Sequence, residues 1–405
     1  MLSALLLALA QSELAALVDW YELEGGRHVL VTYGPTGGLR LFDFERPSFD
    51  TLVEEDERWR WKKQAGGEAE LAFERDASGA ITGFTWKAGD EAGHAERNAS
   101  YGYEQHEVHM HAGAGVDLCA LVMLPRSEGR HPAAVIIQGS GDSDRDNVWA
   151  FSIAHQLAIH GTVVLLPDKR GCGKSKGDWK TVGFEELAKD ALAGVRELQT
   201  VWCDAIDPLR IGLVGLSQGG WIAPLAASQS ESVKFVVSVS AAAVPVGTQV
   251  RHELEQALRK SGADEQTLDI ANELMDRAFA FGKTGEGWED FLAGIEAAPP
   301  PLAGAFPTER DDWRWGWYAR VVDFDPVPLW GALAAPCLVV YGEADEHDNV
   351  PVAASVANLE RLRAAGKENL DVRVYAGSGH ALDDPNGQWI RRDFLEGLAR
   401  WIQSR

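Results

Sequence analysis

The stretch "RIGLVGLSQGGWIAPLA" (residues 210–226) sets Ser217 between Gly215 and Gly219. A serine hydroxyl is a weak nucleophile until a neighbouring base takes its proton, and it must also stand clear of the backbone to reach a substrate. A very sharp turn from strand into helix meets the second need. Such a turn has no room for a Cβ two residues before the serine or two residues after it, which accounts for both glycines. The apolar run before Ser217 reads as a strand and the residues after it as a helix, in the order a nucleophile elbow requires. That helix aims free amides and the positive end of its dipole at the oxygen that becomes negative. The chemistry indicated is attack on a carbonyl carbon with a covalent acyl intermediate.

The serine needs a base and the base an orienting acid, and after an elbow the chain order is acid, then histidine. His380 lies just past the last apolar strand, in "VRVYAGSGHAL", the expected position of the base. The preceding strand runs into "GEADEHDNVPV", which carries Glu343, Asp345, Glu346 and Asp348. Asp345, three residues after Gly342, has the usual position of the acid. Two extra residues separate it from Val350-Pro351 compared with the common "GxxDxxVP" pattern, so Asp348 stays open as the acid. Two amide donors must also meet the developing oxyanion. One is expected from Gln218, the other from Ser140 or Gly139 in "VIIQGSGDSDRDN", where glycines allow a close approach.

These residues need a scaffold, and after Tyr101 the pattern supplies one. A hairpin, "HEVHMHAGAGVDLCALVMLP", precedes apolar strands that alternate with amphipathic helices. That alternation predicts an α/β architecture: a mostly parallel sheet with helices on both faces and antiparallel first strands. From about residue 246 to 335 it gives way to helical, then Pro- and Trp-rich sequence, which predicts a cap inserted between two core strands. Trp313, Trp315 and Trp317 within it line a substrate pocket or form the cap's own core. Between about Val18 and Asn98, short alternating strands and Gly-rich turns predict a small antiparallel β domain.

Bulk properties narrow the partners. At 405 residues, two units or one domain with a large insertion is expected. A formal charge of −23 argues against nucleic acid and anionic membranes, and no apolar run is long enough to span a bilayer. The opening "MLSALLLALAQ" has the apolar run and small-x-small site of a shortened secretory leader, but no basic start. It reads equally as the beginning of an amphipathic helix. The first reading places the protein outside the cytoplasm, the second inside. Cys119, Cys172, Cys203 and Cys337 are scattered, with no metal or disulfide spacing. "GCGKS" lacks the first glycine of a phosphate loop, where Asp168 stands instead. Glu107, His109 and His111 read as a surface hairpin face, and no metal is assigned.

The segments "GVDLCALVMLP…HPAAVIIQGSGDSDRD", "PDKRGCGKSKGDW", "GLSQGGWIAP", "GEAD" and "GSGH", in this order, resemble bacterial α/β-hydrolases of the carboxylesterase type. The likeness is to proteins near the prolyl oligopeptidase-like and dienelactone-hydrolase-like branches. It covers the chain from about Tyr101 onward except the insertion. It implies a Ser217–His380–Asp345 triad. Acyl transfer by such a triad needs no cofactor, and the expected substrate is a small-molecule ester of short-to-medium acyl length, because the insertion reads as a lid over a closed pocket. Gln138 stands where such families often have histidine. "FERDASGAITGFTW" resembles part of the lipocalin-like β modules appended to bacterial serine hydrolases, which implies an accessory or positioning role. The expected division is a leader remnant at 1–12, a β module at 13–100 and a catalytic domain at 101–405. An acyl-peptidase or thioesterase would use the same constellation, and a non-catalytic binder could keep the scaffold. Oligomeric state is not legible.

Overall fold

The computed structural model describes residues 13–405 apart from residues 37, 45–46, 56–57, 303 and 386–388 and the side chain of residue 114; the leader reading at 1–12 lies outside the described residues. The first eight strands are β1 (Asp19–Leu23), β2 (Arg27–Tyr33), β3 (Leu39–Asp43), β4 (Ser48–Glu55), β5 (Arg58–Lys62), β6 (Glu68–Arg75), β7 (Ile81–Ala88) and β8 (Glu91–Arg97). They form a closed antiparallel barrel, β1 pairing with β8 through Tyr21 opposite Arg97 and Leu23 opposite Ala95. Alternation drives it: in β6, Ala69 and Leu71 are buried while Glu68 and Glu70 face water. Closure leaves no unpaired strand edge.

The second sheet contains β9 (Tyr103–His111), β10 (Asp117–Pro125), β11 (His131–Ile137), β12 (Val163–Pro167), β13 (Ile206–Leu216), β14 (Phe235–Val239), β15 (Cys337–Gly342) and β16 (Leu370–Tyr375). Their spatial order is β16-β15-β14-β13-β11-β12-β10-β9, with β9 and β10 antiparallel and the rest parallel. Every residue of β11 and β14 is buried, because helices cover both faces of the sheet. β12 and β13 flank β11 on opposite sides, so the chain reverses direction across the sheet there. A crevice opens at the carboxyl ends of strands at such a switch point. Between β14 and β15 lie the helices Val246–Lys260, Glu265–Thr284, Trp288–Ala297, Trp313–Val321 and Val327–Ala332. Four of them share a core of their own around Phe281, Phe291 and Trp315, the first through Leu258. Among the described residues, no helix is long and apolar enough to cross a membrane.

The barrel is tied to the second sheet by an aromatic seam and ion pairs. The rings of Phe42 and Phe49 each lie 4.8 Å from that of Phe151 in the helix Val148–Ile159, the first tilted and the second edge-on. Arg126 reaches Asp19 at 2.7 Å, and Arg40 on β3 reaches Asp146 at 2.8 Å. His155 sits half-buried in this seam against Trp20, Phe44 and Tyr103. Burial pushes its imidazole down from the ordinary 6.5 to about 3. The folded protein therefore refuses a proton that the unfolded chain accepts below about pH 6.5. Stability is present above that pH and is lost as pH falls towards about 3, by up to about 1.4 kcal/mol per unit. His155→Phe is expected to remove about one proton from this dependence. Urea unfolding at several pH values between about 6 and 4 checks it, and an unchanged slope refutes it.

Candidate active site

Ser217 follows β13 and has φ of +49°, a left-handed backbone that a side-chain-bearing residue adopts only when its surroundings enforce it. Its amide donates to Val239 O at 2.8 Å, and its carbonyl accepts from Gly220 N at 2.8 Å. A Cβ on Gly215 would overlap the Gly219 carbonyl, and one on Gly219 would overlap the Ile137 carbonyl. The glycine spacing is thus a steric demand of the turn. The helix Gly219–Ser228 starts at once, with Gln218 as its cap.

His380 comes off the loop after β16. Its Nε2 lies 3.0 Å from Ser217 Oγ, and its Nδ1 lies 2.7 Å from Asp345 Oδ2. Asp345 is fully buried in a short 3-10 turn, Glu343–His347, after β15. Its Oδ1 accepts from Asn349 N at 3.2 Å. The carboxylate receives from Nδ1–H, which leaves the lone pair on Nε2, facing the serine. The Trp149 ring lies 5.6 Å from the imidazole. Asp348 is elsewhere: it is a surface residue paired at 2.7 Å with Lys260 of the insertion, and its side chain is 55% exposed. The two extra residues of this loop are absorbed by the 3-10 turn, which buries the first aspartate and turns the second outward.

The loop after β11 passes close to the serine, and the Cβ position of Gly139 lies 3.4 Å from Ser217 Cβ. Among the described residues, the amides of Ser140 and Gln218 donate to no protein acceptor. Gln138 pins this loop. Its Nε2 donates to Asp144 O at 3.0 Å, and its Oε1 accepts from Ser143 Oγ at 2.9 Å. A cavity of about 580 Å³ opens beside Ser140, Gly141 and Gln218, with Trp179, Trp313 and Trp317 in its wall. Trp315 does not share it. A helix advances about 100° per residue, so positions 313 and 317 share a face that position 315 cannot. Trp315 is 6% exposed and packs against Phe281, Trp288 and Phe291 inside the insertion. As a pocket residue it is corrected to a core residue.

Sequence reasoning passed over Trp149, Trp179, Lys169 and Glu253. Glu253 lines the same cavity, and burial raises its carboxyl. The helical spacing of Val250, Leu254 and Ala257 on that wall was the only available signal, and it is shared by any packed helix. Glu107, His109 and Cys119 bring donor atoms within 4.8 Å of one another. Arg145 and Lys174 already bond Glu107, and Arg145 also donates to Cys119 Sγ at 2.8 Å. A divalent cation there would face two fixed positive charges. His111 pairs instead with Asp117 at 2.6 Å.

Comparison with known proteins adds an independent line. The model of the alpha/beta hydrolase family matches residues 134–391. Esterase EstD of Thermotoga maritima is 23% identical over 299 residues, which are 69% of this chain and 64% of that one; the chain thus spans about 64% of this relative's length. The Pyrococcus furiosus esterase Pf2001 superposes with a TM-score of 0.49 at 16% identity, over 75% of this chain and 91% of that one. Est1E of Butyrivibrio proteoclasticus, solved with ferulic acid bound, gives 0.47 at 19% identity, over 73% and 96%. With the family model matched over more than half its length, the chain belongs to the alpha/beta hydrolase family.

Proposed function

We propose that this hydrolase is a carboxylesterase acting through an acyl-enzyme, with Ser217, His380 and Asp345 as its triad. The observation that carries the reading is the hydrogen-bond chain from Asp345 through His380 to Ser217, 2.7 and 3.0 Å long. Ser217 Oγ attacks the ester carbonyl as His380 Nε2 takes its proton. The tetrahedral oxygen is held by the amides of Gln218 and Ser140, each worth about 3–4 kcal/mol of barrier. His380 then gives the proton to the leaving alcohol, and water repeats the cycle on the acyl group. Asp345 holds the imidazole in the working tautomer and stabilises its charged form. Residues 13–100 form the accessory β module, and residues 246–335 the cap of the catalytic unit at 101–405. The order of motifs supports placement near the prolyl oligopeptidase-like and dienelactone-hydrolase-like branches.

The substrate is an ester of short-to-medium acyl length, a reading supported by the insertion helices that wall the open cleft of about 580 Å³ beside Gln218. A panel of nitrophenyl esters tests this. Butyrate is expected to exceed palmitate in kcat/KM by at least about tenfold. Preference for palmitate, or faster turnover of matched amides or thioesters, overturns the assignment.

A further inference from the structure

The motif "PDKRGCGKS" places Lys169 two residues past the end of β12, where the switch in strand order brings three loops together. The side chain is buried, 7% exposed. Its Nζ donates to Gly139 O at 2.8 Å, to Gly141 O at 3.2 Å and to Gln218 Oε1 at 3.0 Å. An ammonium has three hydrogens, and all three are committed. No carboxylate takes one of them; the charge instead lies 4.3 Å over the face of Trp179. A buried cation bonded to backbone carbonyls rather than to a counter-ion is expensive to keep. Its partners are the two segments that flank the nucleophile.

We propose that Lys169 is a positioning residue of the oxyanion site, an inference that rests on the acyl-transfer reading above. In a trans peptide, C=O and N–H point in opposite directions across one rigid plane. Holding Gly139 O on the ammonium therefore turns the Ser140 N–H to the opposite side, and holding Gly141 O fixes the Gly141–Asp142 peptide further along the same loop. The third bond ties down the side chain of Gln218, whose backbone amide is the other donor. One cation thus sets both donors, and its charge adds an attractive field where negative charge develops in a poorly solvated site.

Burial lowers this ammonium to about 8. The titratable groups around it are few. Cys172 comes from its own loop and Asp142 from the loop after β11, while Lys180 lies over the same Trp179 ring at 5.6 Å and 3.8 Å from Asp142. Above about pH 8 the group loses its charge and one of its three hydrogens, so a carbonyl or Gln218 is released. Turnover in the native enzyme is expected to fall through an alkaline limb centred near 8, while a melting curve at pH 9 still shows folded protein.

The test compares kcat and KM for nitrophenyl butyrate between pH 6 and 10 in the native protein, Lys169→Met and Lys169→Arg. Lys169→Met is expected to lower kcat by about 10²-fold with KM within about threefold, and to lack the limb. Lys169→Arg keeps a charge that does not titrate and is expected to lack the limb as well. A flat native profile to pH 10 overturns the proposal without any variant, as does a Lys169→Met enzyme with native kcat or a limb surviving in either variant. A native protein inert towards ester and fluorophosphonate alike overturns the acyl-transfer reading, and this inference with it.

Discussion

Ser217→Ala is expected to fold like the native chain, to resist a fluorophosphonate probe completely and to hydrolyse nitrophenyl esters about 10⁵–10⁶-fold more slowly. The size follows from what is lost. Without Oγ no acyl-enzyme forms, and only the oxyanion donors and substrate binding remain to help water. The fold should survive because the turn is held by its backbone, through the bonds of Ser217 N to Val239 O and of Gly220 N to Ser217 O. His380→Ala is expected to cost a similar factor, and the double variant little more, since the two residues act as a unit. Probe labelling with mass mapping, beside steady-state rates, checks this. Labelling at a serine other than Ser217, or turnover within about tenfold of native in Ser217→Ala, refutes the assignment.

Asp345→Asn should be nearly as damaging, about 10⁴-fold in kcat, whereas Asp348→Asn should stay within about threefold of native. The difference is one of position. Asp345 is fully buried and bonds His380 Nδ1 at 2.7 Å, so an amide there removes the charge that steadies the imidazolium and can hold the wrong tautomer. Asp348 meets Lys260 at the surface, where an ion pair contributes about 0–1 kcal/mol and is screened by salt. Rates for both variants, with melting curves to show that each is folded, decide between them. Loss of turnover in Asp348→Asn alone overturns the choice of acid.

Much of the architecture could be read from the sequence. Apolar strands alternating with helices foretold the mostly parallel sheet, and the hairpin before them foretold the antiparallel strands β9 and β10. The steric origin of the Gly215 and Gly219 spacing is equally local, since both overlaps lie within one turn and its neighbouring strand. What escaped depends on contacts far apart in the chain. Two aspartates three residues apart look alike until Lys260, from the insertion, is seen to take the outer one. Trp313, Trp315 and Trp317 form one aromatic cluster on paper, and only a helix in place splits them between cavity and core. Lys169 gave no local sign, because its meaning lies in carbonyls of a loop some thirty residues earlier and in Gln218.

The tie between Arg40 and Asp146 has a consequence for how such a protein can be rebuilt. Asp146 belongs to the loop that passes close to Ser217, and burial holds its carboxyl up at about 6 even with the guanidinium beside it. Grafting the hydrolase half onto another partner, or trimming the barrel away to shorten the gene, would strip this acid of its counter-charge and bare Phe151 at the same stroke. A working chimaera is therefore expected to need Arg40, Phe42 and Phe49 carried across together with the residues they meet, Asp146 and Phe151.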